Sequence, residues 1–427
     1  MNFLVQDLPP LPVVPELFGL CPASEKLSAF VGQNVAVLGI GECARFTGTG
    51  AEQILRGENW WDLLDAAVST VPPAVRADFP ITFPVALGSF AFAPEGEGAL
   101  IVPQVTVVTT GVRTLACVSE STRGRELFRL LQSRANLLEW ARTELAQAPA
   151  PTVSGPFPGS LTEDEWAKAV AEVAGTLGKG GAEKVVLARD LQFSCENLDQ
   201  RVLAAELMRA YPTCWTFVVD NLVGATPEML GESNRGRFRC RVLAGTAGKN
   251  GGAALKKSAK DQAEHHLAVQ SARVALTGKV ADLHVGDPFI LQLPNLVHLA
   301  TDITARIDGS VLHPVHLLHP TAAVCGTPTP VARKVLTRAE KMDRGRYAGP
   351  VGWVDASGGG QWAIALRCAE ITPRPTPTES TLQCTKVRVF AGAGIMPTSD
   401  PDKEVAETRA KMQPLLAALT QIARPKQ

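Results

Sequence analysis

The chain has 427 residues, enough for two or three ordinary domains or one large unit. Forty-two Lys and Arg balance 42 Asp and Glu, which argues against nucleic acid or an anionic membrane surface as a partner held by overall charge. Apolar residues make up 45% and charged residues 20%, which excludes a disordered chain. No apolar run approaches the ~18 residues that read as a membrane-spanning helix. The opening segment MNFLVQDLPPLPVVPELF lacks a basic start and is broken by prolines, so a secretory leader is not expected. Nine cysteines, never as CxxC, read as reduced, mostly buried thiols of a cytoplasmic protein. Seven histidines show no zinc-ligand spacing.

In chain order, residues 1–30 are Pro-rich and are expected to wrap the surface. NVAVLGIGECARF (34–46) reads as a strand running into Gly-rich turns. Its Gly39-x-Gly41 lacks the third glycine of a dinucleotide fingerprint, so a β-turn is the expected reading. AEQILRGENWWDLLDAAVST reads as one helix, and FPVALGSFAFAP and ALIVPQVTVVTTGVRTLACV as antiparallel strands. The periodicity of 125–147 predicts a single amphipathic helix, and AQAPAPTVSGPFPGS (146–160) a linker. Thr162 and Glu165 have the spacing of a capping box opening EDEWAKAVAEVAGTLGKG. Strands are then expected at EKVVLARDLQF, CWTFVVDNLVGAT, RFRCRVLAGTA, LVHLATDITARI, GPVGWVDA, GQWAIALRCAEI and KVRVFAGAGI, with helices at 257–277, from 315, and at 329–340 and 402–422. Long strands and helices mix without a regular βαβ repeat. The expected class is therefore α+β with large antiparallel sheets.

The acidic residues form a pattern. Asp261 and Glu264 lie three apart at a helix start; Glu404, Glu407 and Lys411 form a stripe on a second helix. Two carboxylates and an ammonium on one face suit a divalent cation and an anionic ligand together, or equally a solvated face with a Glu407–Lys411 salt bridge. Gly392-x-Gly394 and Gly245-Thr246 follow strands, where backbone N–H groups can approach an anion or simply turn the chain. Arg367 is expected mid-strand among apolar residues, which demands an anionic partner, internal or bound. Lys184 begins an apolar strand, where a lysine either snorkels to water or, partly buried, serves as a base.

These pieces occur together, in the order EKVVLAR, GATPEML, LAGTA, SAKDQAEH, HLATDI, LLHPTAAVCGTP, DRGRYAGPVGW, ALRCAEI and GAGIMPTSDPDKEVAETRAKM. The order resembles the chorismate-utilising enzymes: isochorismate, salicylate, anthranilate and aminodeoxychorismate synthases. The resemblance spans about 165–422, and GIGECARFTG extends it loosely toward the N-terminus. It implies one α+β unit of two large antiparallel sheets with helices packed outside, with 1–150 its more variable part and 151–427 the chorismate-binding catalytic region. It implies that Mg²⁺ and chorismate share a site between the sheets. Glu264 and Glu407 then match Mg²⁺ ligands, and Glu404 and Asp261 match acidic positions reaching the metal directly or through water. Arg367, Tyr347 and Lys411 match substrate contacts; Gly245, Thr246, Gly392 and Gly394 match loops around the substrate. His298 and Thr301 match the HLAT segment lining the pocket.

The same resemblance matches Lys184 to a base that activates water and Glu228 to an acid that protonates a leaving hydroxyl. Both belong to the water-using branch, isochorismate synthase first and salicylate synthase second. LAGTA lacks the lysine of many aminodeoxychorismate synthases, so an amine-transferring member with a glutaminase subunit is the weaker reading, and a non-catalytic metabolite binder weaker still. A monomer is expected, because no long exposed edge or heptad is evident.

Overall fold

The computed structural model describes residues 1–64, 67–70, 79–177, 181–248, 251–292, 296–373 and 384–424. Among them, two sheets make an α+β fold. A 13-stranded sheet runs in the order Thr152–Pro158, Lys184–Glu196, Cys384–Ile395, Cys368–Pro373, Leu222–Thr226, Trp215–Val219, Leu27–Val31, Ala36–Ile40, Val105–Thr109, Thr114–Ser119, Asn2–Leu8 and Ala67–Thr70, with Gly326–Thr327 beside Lys184–Glu196. A 10-stranded sheet runs Ala281–Val285, Leu296–Arg306, Arg237–Gly248, Met229–Asn234, Gly360–Ile364, Pro350–Asp355, Val85–Ser89, Gly98–Val102 and Ala44–Gly48, with Phe289–Gln292 beside Leu296–Arg306. The pairings are antiparallel except where Asn2–Leu8 meets Ala67–Thr70.

Strands before residue 120 and after residue 150 share both sheets. One apolar cluster fills the space between the sheets and continues under the helix Glu163–Thr176. A second lies on the other side of the 13-stranded sheet, beneath Thr122–Gln132, Leu137–Gln147, Gln200–Ala210 and Pro401–Ile422. Trp166 is fully buried, and its indole N–H donates to the Ala188 carbonyl at 3.0 Å. Burying a side chain of that size contributes on the order of 3 kcal/mol, and the donated bond avoids leaving a buried N–H unpaired. Among the described residues, no helix is long and apolar enough to cross a membrane.

Four of the chain's passages between the sheets are short crossings. The chain leaves the 13-stranded sheet after Thr226 and enters the other at Met229; it returns between Ile364 and Cys368. The N-terminal half repeats the pattern, out between Ile40 and Ala44 and back between Val102 and Val105. Gly39 is thus a strand residue and Gly41, at φ +67°, turns the first of these crossings, which is the turn expected there.

Several expectations need correction. Residues 1–30 do not merely wrap the surface: Asn2–Leu8 and Leu27–Val31 are sheet strands, and Leu17, Phe18 and Leu20 of the short 3₁₀ helix between them are buried. The helix expected over 51–70 is shorter, Gln53–Asp62, and Ala67–Thr70 is a strand. The helix over 125–147 is two, Thr122–Gln132 and Leu137–Gln147. Ser133 Oγ donates to the Leu130 carbonyl at 2.8 Å, and Asn136 accepts from the Glu139 N–H at 3.1 Å, so one residue ends a helix and the other starts the next. The expected linker contains the edge strand Thr152–Pro158, where prolines are tolerated because one side of the strand has no ladder to complete. Arg367 is not mid-strand. It lies in the return crossing, between Gly360–Ile364 of one sheet and Cys368–Pro373 of the other.

Candidate active site

The outward and return crossings of the C-terminal half are bonded to each other. Thr226 Oγ1 donates to the Ile364 carbonyl at 2.6 Å and accepts from the Glu228 N–H at 3.3 Å. Ile364 N–H donates to the Glu228 carbonyl at 2.9 Å, and Ala225 N–H to the Arg367 carbonyl at 3.2 Å. The two crossings therefore place a carboxyl and a guanidinium at one seam between the sheets. Arg367 takes φ +49°, a conformation that disfavours a side chain, and strain of this kind collects where surrounding contacts over-determine it. Its Nη1 donates to the Lys411 carbonyl at 3.0 Å, which ties the seam to the helix Pro401–Ile422.

Lys184 opens the strand Lys184–Glu196, which pairs with Cys384–Ile395 so that Val186 faces Gly394 and Ala188 faces Gly392. Alternation puts Lys184, Val186 and Ala188 on one face. A Cβ on Gly394 would stand 2.8 Å from Lys184 Cε, and one on Gly392 would stand 3.2 Å from Tyr347 Oη. The two glycines are thus a floor on which the lysine and the phenol lie. Tyr347 is buried and stacks on Phe390 with centroids 5.1 Å apart. Burial pushes its phenol up, so it stays neutral. Lys411 Nζ donates to the Gly392 carbonyl at 2.8 Å and pairs with Glu407 at 2.6 Å.

Electrostatics join these groups. Burial pushes the Glu228 carboxyl up to about 7, against the opposing pull of Lys411, Lys184 and Arg367. Glu228 is partly exposed to solvent. Three cations and an acid poised near neutrality converge there. Burial holds the Arg367 guanidinium below its usual value, and it remains a cation. Glu404 is raised by burial and by the nearby Glu407 charge, although Ser399 Oγ donates to it at 2.8 Å.

A second group sits on the 10-stranded sheet. A bulge between Leu243 and Thr246 in Arg237–Gly248 puts Gly245 at φ +81°, and a Cβ there would stand 3.3 Å from Asp261 Cβ. Ser258 caps the helix Ala259–Leu276 by accepting from the Asp261 N–H at 3.2 Å. His265, one turn on, meets Thr301 Oγ1 at 2.7 Å and holds that helix on Leu296–Arg306. Burial depresses the imidazoles of His265 and His298, which keeps both neutral near pH 7. Thr301 is 1% exposed and is engaged by His265. Thr246 pairs with His298 in the ladder; the side chains of Thr246 and Glu264 lie outside the described residues.

The structure thus unites Lys184, Glu228, Tyr347, Arg367, Gly392, Gly394, Glu404, Glu407 and Lys411. It places Gly245, Asp261, His298 and Thr301 together in the second group. Among the described residues, no three His, Cys, Asp or Glu side chains stand close enough to hold a metal ion. The donors on Pro401–Ile422 are carboxylate oxygens, with Glu404 raised by a neighbouring negative charge, and that chemistry fits a hard divalent cation. Two residues had escaped the sequence reasoning. Thr226 locks the crossings together and His265 docks the acidic helix; the signal available was a polar side chain set in an apolar strand, and the histidine ending SAKDQAEH.

Comparison with known proteins identifies the family. The model of the family described as chorismate binding enzyme matches residues 23–420. The chain is 30% identical over 404 residues to the salicylate biosynthesis isochorismate synthase of Pseudomonas aeruginosa, covering 88% of this chain and 81% of that protein. It is 30% identical over 350 residues to isochorismate synthase EntC of Escherichia coli K12, covering 78% of this chain and 80% of that protein. The fold is that of MenF, the menaquinone-specific isochorismate synthase of Escherichia coli, with a TM-score of 0.73 at 23% identity over 99% of this chain and 95% of that one. With a family model spanning residues 23–420, both halves of the chain, the protein belongs to the chorismate-binding enzyme family.

Proposed function

We propose that this protein is an isochorismate synthase, converting chorismate to isochorismate with Mg²⁺. The observation that carries the reading is the Glu228 carboxyl, lifted to about 7 at a seam that also holds Lys184, Arg367 and Lys411. The reaction adds water at C2 of the ring and expels the C4 hydroxyl. Hydroxide is a poor leaving group, so a protonated carboxyl beside it contributes roughly 10²–10⁴-fold. Raised by burial, Glu228 keeps its proton to higher pH than a free carboxyl and takes that role. Lys184 takes a proton from the incoming water. Arg367 and Lys411 bind the two substrate carboxylates, and Tyr347, neutral and backed by Phe390, closes one wall.

Glu404 and Glu407, with Asp261 and Glu264 of the helix Ala259–Leu276, would hold Mg²⁺, which when bound supplies positive charge to neutralise and orient a substrate carboxylate. Lys411 pairs with Glu407 through Oε1, and the second carboxylate oxygen is the one that would meet the cation. Because the nucleophile is water and not ammonia, no glutaminase partner is required.

The test is Lys184→Ala, assayed for isochorismate formation with thermal unfolding as the control for folding. Loss of turnover by at least about 10³-fold, with the melting transition retained, supports the base. Substantial turnover in a folded variant removes Lys184 from that role.

A further inference from the structure

Lys184–Glu196 has an incomplete edge. Gly326–Thr327 covers it at Lys184 and Val185, and Thr152–Pro158 covers it from Leu191 to Glu196. Between them, the outward-facing groups of Val186 and Ala188 have no partner strand among the described residues, and buried backbone groups do not stay unpaired. The gap is closed by side chains. Arg344 Nη2 donates to the Val186 carbonyl at 2.6 Å, and the Ala188 N–H donates to Glu340 Oε1 at 2.7 Å. Trp166 serves the Ala188 carbonyl, and the Cys325 carbonyl accepts from Val186 N–H at 3.0 Å.

Arg344 and Glu340 are 3% and 4% exposed and are bonded to each other, with Nε to Oε2 at 2.9 Å. Arg344 Nη1 also donates to the Val324 carbonyl at 2.8 Å, and its guanidinium lies 4.1 Å from the Phe92 ring centroid. The same arginine reaches the opposite wall of the site: its carbonyl accepts from Tyr347 N–H at 3.0 Å, and its guanidinium stands 5.9 Å from the Tyr347 ring centroid.

We infer that the Glu340–Arg344 pair is a positioning device for the reaction, a surrogate strand that fixes Lys184 and Tyr347 relative to one another over the Gly392–Gly394 floor. It touches no reacting atom. Val186 and Ala188 are the two residues that face Gly394 and Gly392, so the stretch held by the pair carries the lysine immediately before it. A planar guanidinium can serve the Val186 carbonyl, the Val324 carbonyl and Glu340 together; a lysine ammonium has the charge without the fork. This rests on the reading of Lys184 as the base.

The experiment measures kcat, chorismate KM and the pH profile of the full-length protein carrying Arg344→Lys or Glu340→Asp, normalised to folded protein. The control is Arg201→Lys, an arginine 5% exposed that pairs with Asp199 and donates to the Cys21 carbonyl, outside the groups assigned to the reaction. The expected result is a fall in kcat of at least about tenfold, with KM changed less than about twofold and the pH of half-maximal rate displaced, because a misplaced base loses rate before affinity. Arg201→Lys is expected to lower the melting temperature and leave kcat per folded molecule unchanged. Retention of kcat within about twofold in either site variant overturns the inference, as does an equal loss in Arg201→Lys. If Lys184→Ala is itself active, the reading of the base fails; if Lys184→Ala is dead while Arg344→Lys is not, only the positioning role fails.

Discussion

Gly394→Ala separates catalysis from stability in one methyl group. The added Cβ would stand 2.8 Å from Lys184 Cε. Carbon–carbon contact is comfortable only from ~3.5 Å, so Cε must retreat by roughly 0.7 Å. The obstacle is the far end of a flexible side chain, and Gly394 does not have positive φ, so the backbone need not deform. Replacing a strand glycine by alanine is then close to neutral for stability, within about 1 kcal/mol. Catalysis is less tolerant: a misplacement of ~1 Å can cost about 10²-fold in rate. Expected is a kcat for isochorismate formation reduced by roughly 10- to 100-fold, with the melting temperature nearly unchanged. The assay is initial rate against chorismate concentration, followed by chromatography, beside thermal denaturation of the same preparation. Full kcat in Gly394→Ala would mean that Lys184 does not work from the position seen here. Gly392→Ala, with 3.2 Å to Tyr347 Oη, is expected to be milder.

Glu228→Gln is expected to lower kcat far more than chorismate affinity, and a large loss of affinity with turnover intact would count against the acid role. Its stability has a sign. Glu228 is raised from 4.5 to about 7 in the folded state, so the folded protein holds a proton that the unfolded chain has released across that window. Wild-type stability therefore declines with rising pH between those values on this residue's account. Glu228→Gln should be matched to wild type near pH 4 and relatively more stable at pH 8; equal melting temperatures at both pH values would show that the carboxyl is not buried as described. Glu404→Ala and Glu407→Ala should each raise the Mg²⁺ concentration for half-maximal activity by at least about tenfold, and an unchanged Mg²⁺ titration would mean that other groups hold the cation.

Local chemistry was readable from the sequence. Thr162 Oγ1 accepts from the Glu165 N–H and Glu165 accepts in return from the Thr162 N–H, as the four-residue spacing predicts. The apolar run in EKVVLARDLQF was enough to name the strand and to put Lys184 at its start. Residues 146–160 and 363–368 misled for the same reason: a strand's neighbours are not neighbours in sequence. Prolines look like a linker until an edge is known to exist at 152–158, and ALRCAEI reads as one strand until the chain is seen to change sheets at Arg367. That crossing is also why Glu228 and Arg367, 139 residues apart by numbering, share a seam. The break at Ser133–Asn136 was marked only by a serine and an asparagine, residues equally common on an exposed helix face.

The central claim is the reaction itself, and product analysis tests it most directly. Purified protein is given chorismate and Mg²⁺, and the products are separated by chromatography. Isochorismate alone, appearing at the expense of chorismate and absent when Mg²⁺ is chelated, is the predicted result. Salicylate and pyruvate in equal amounts, or no turnover with Mg²⁺ present, would contradict it.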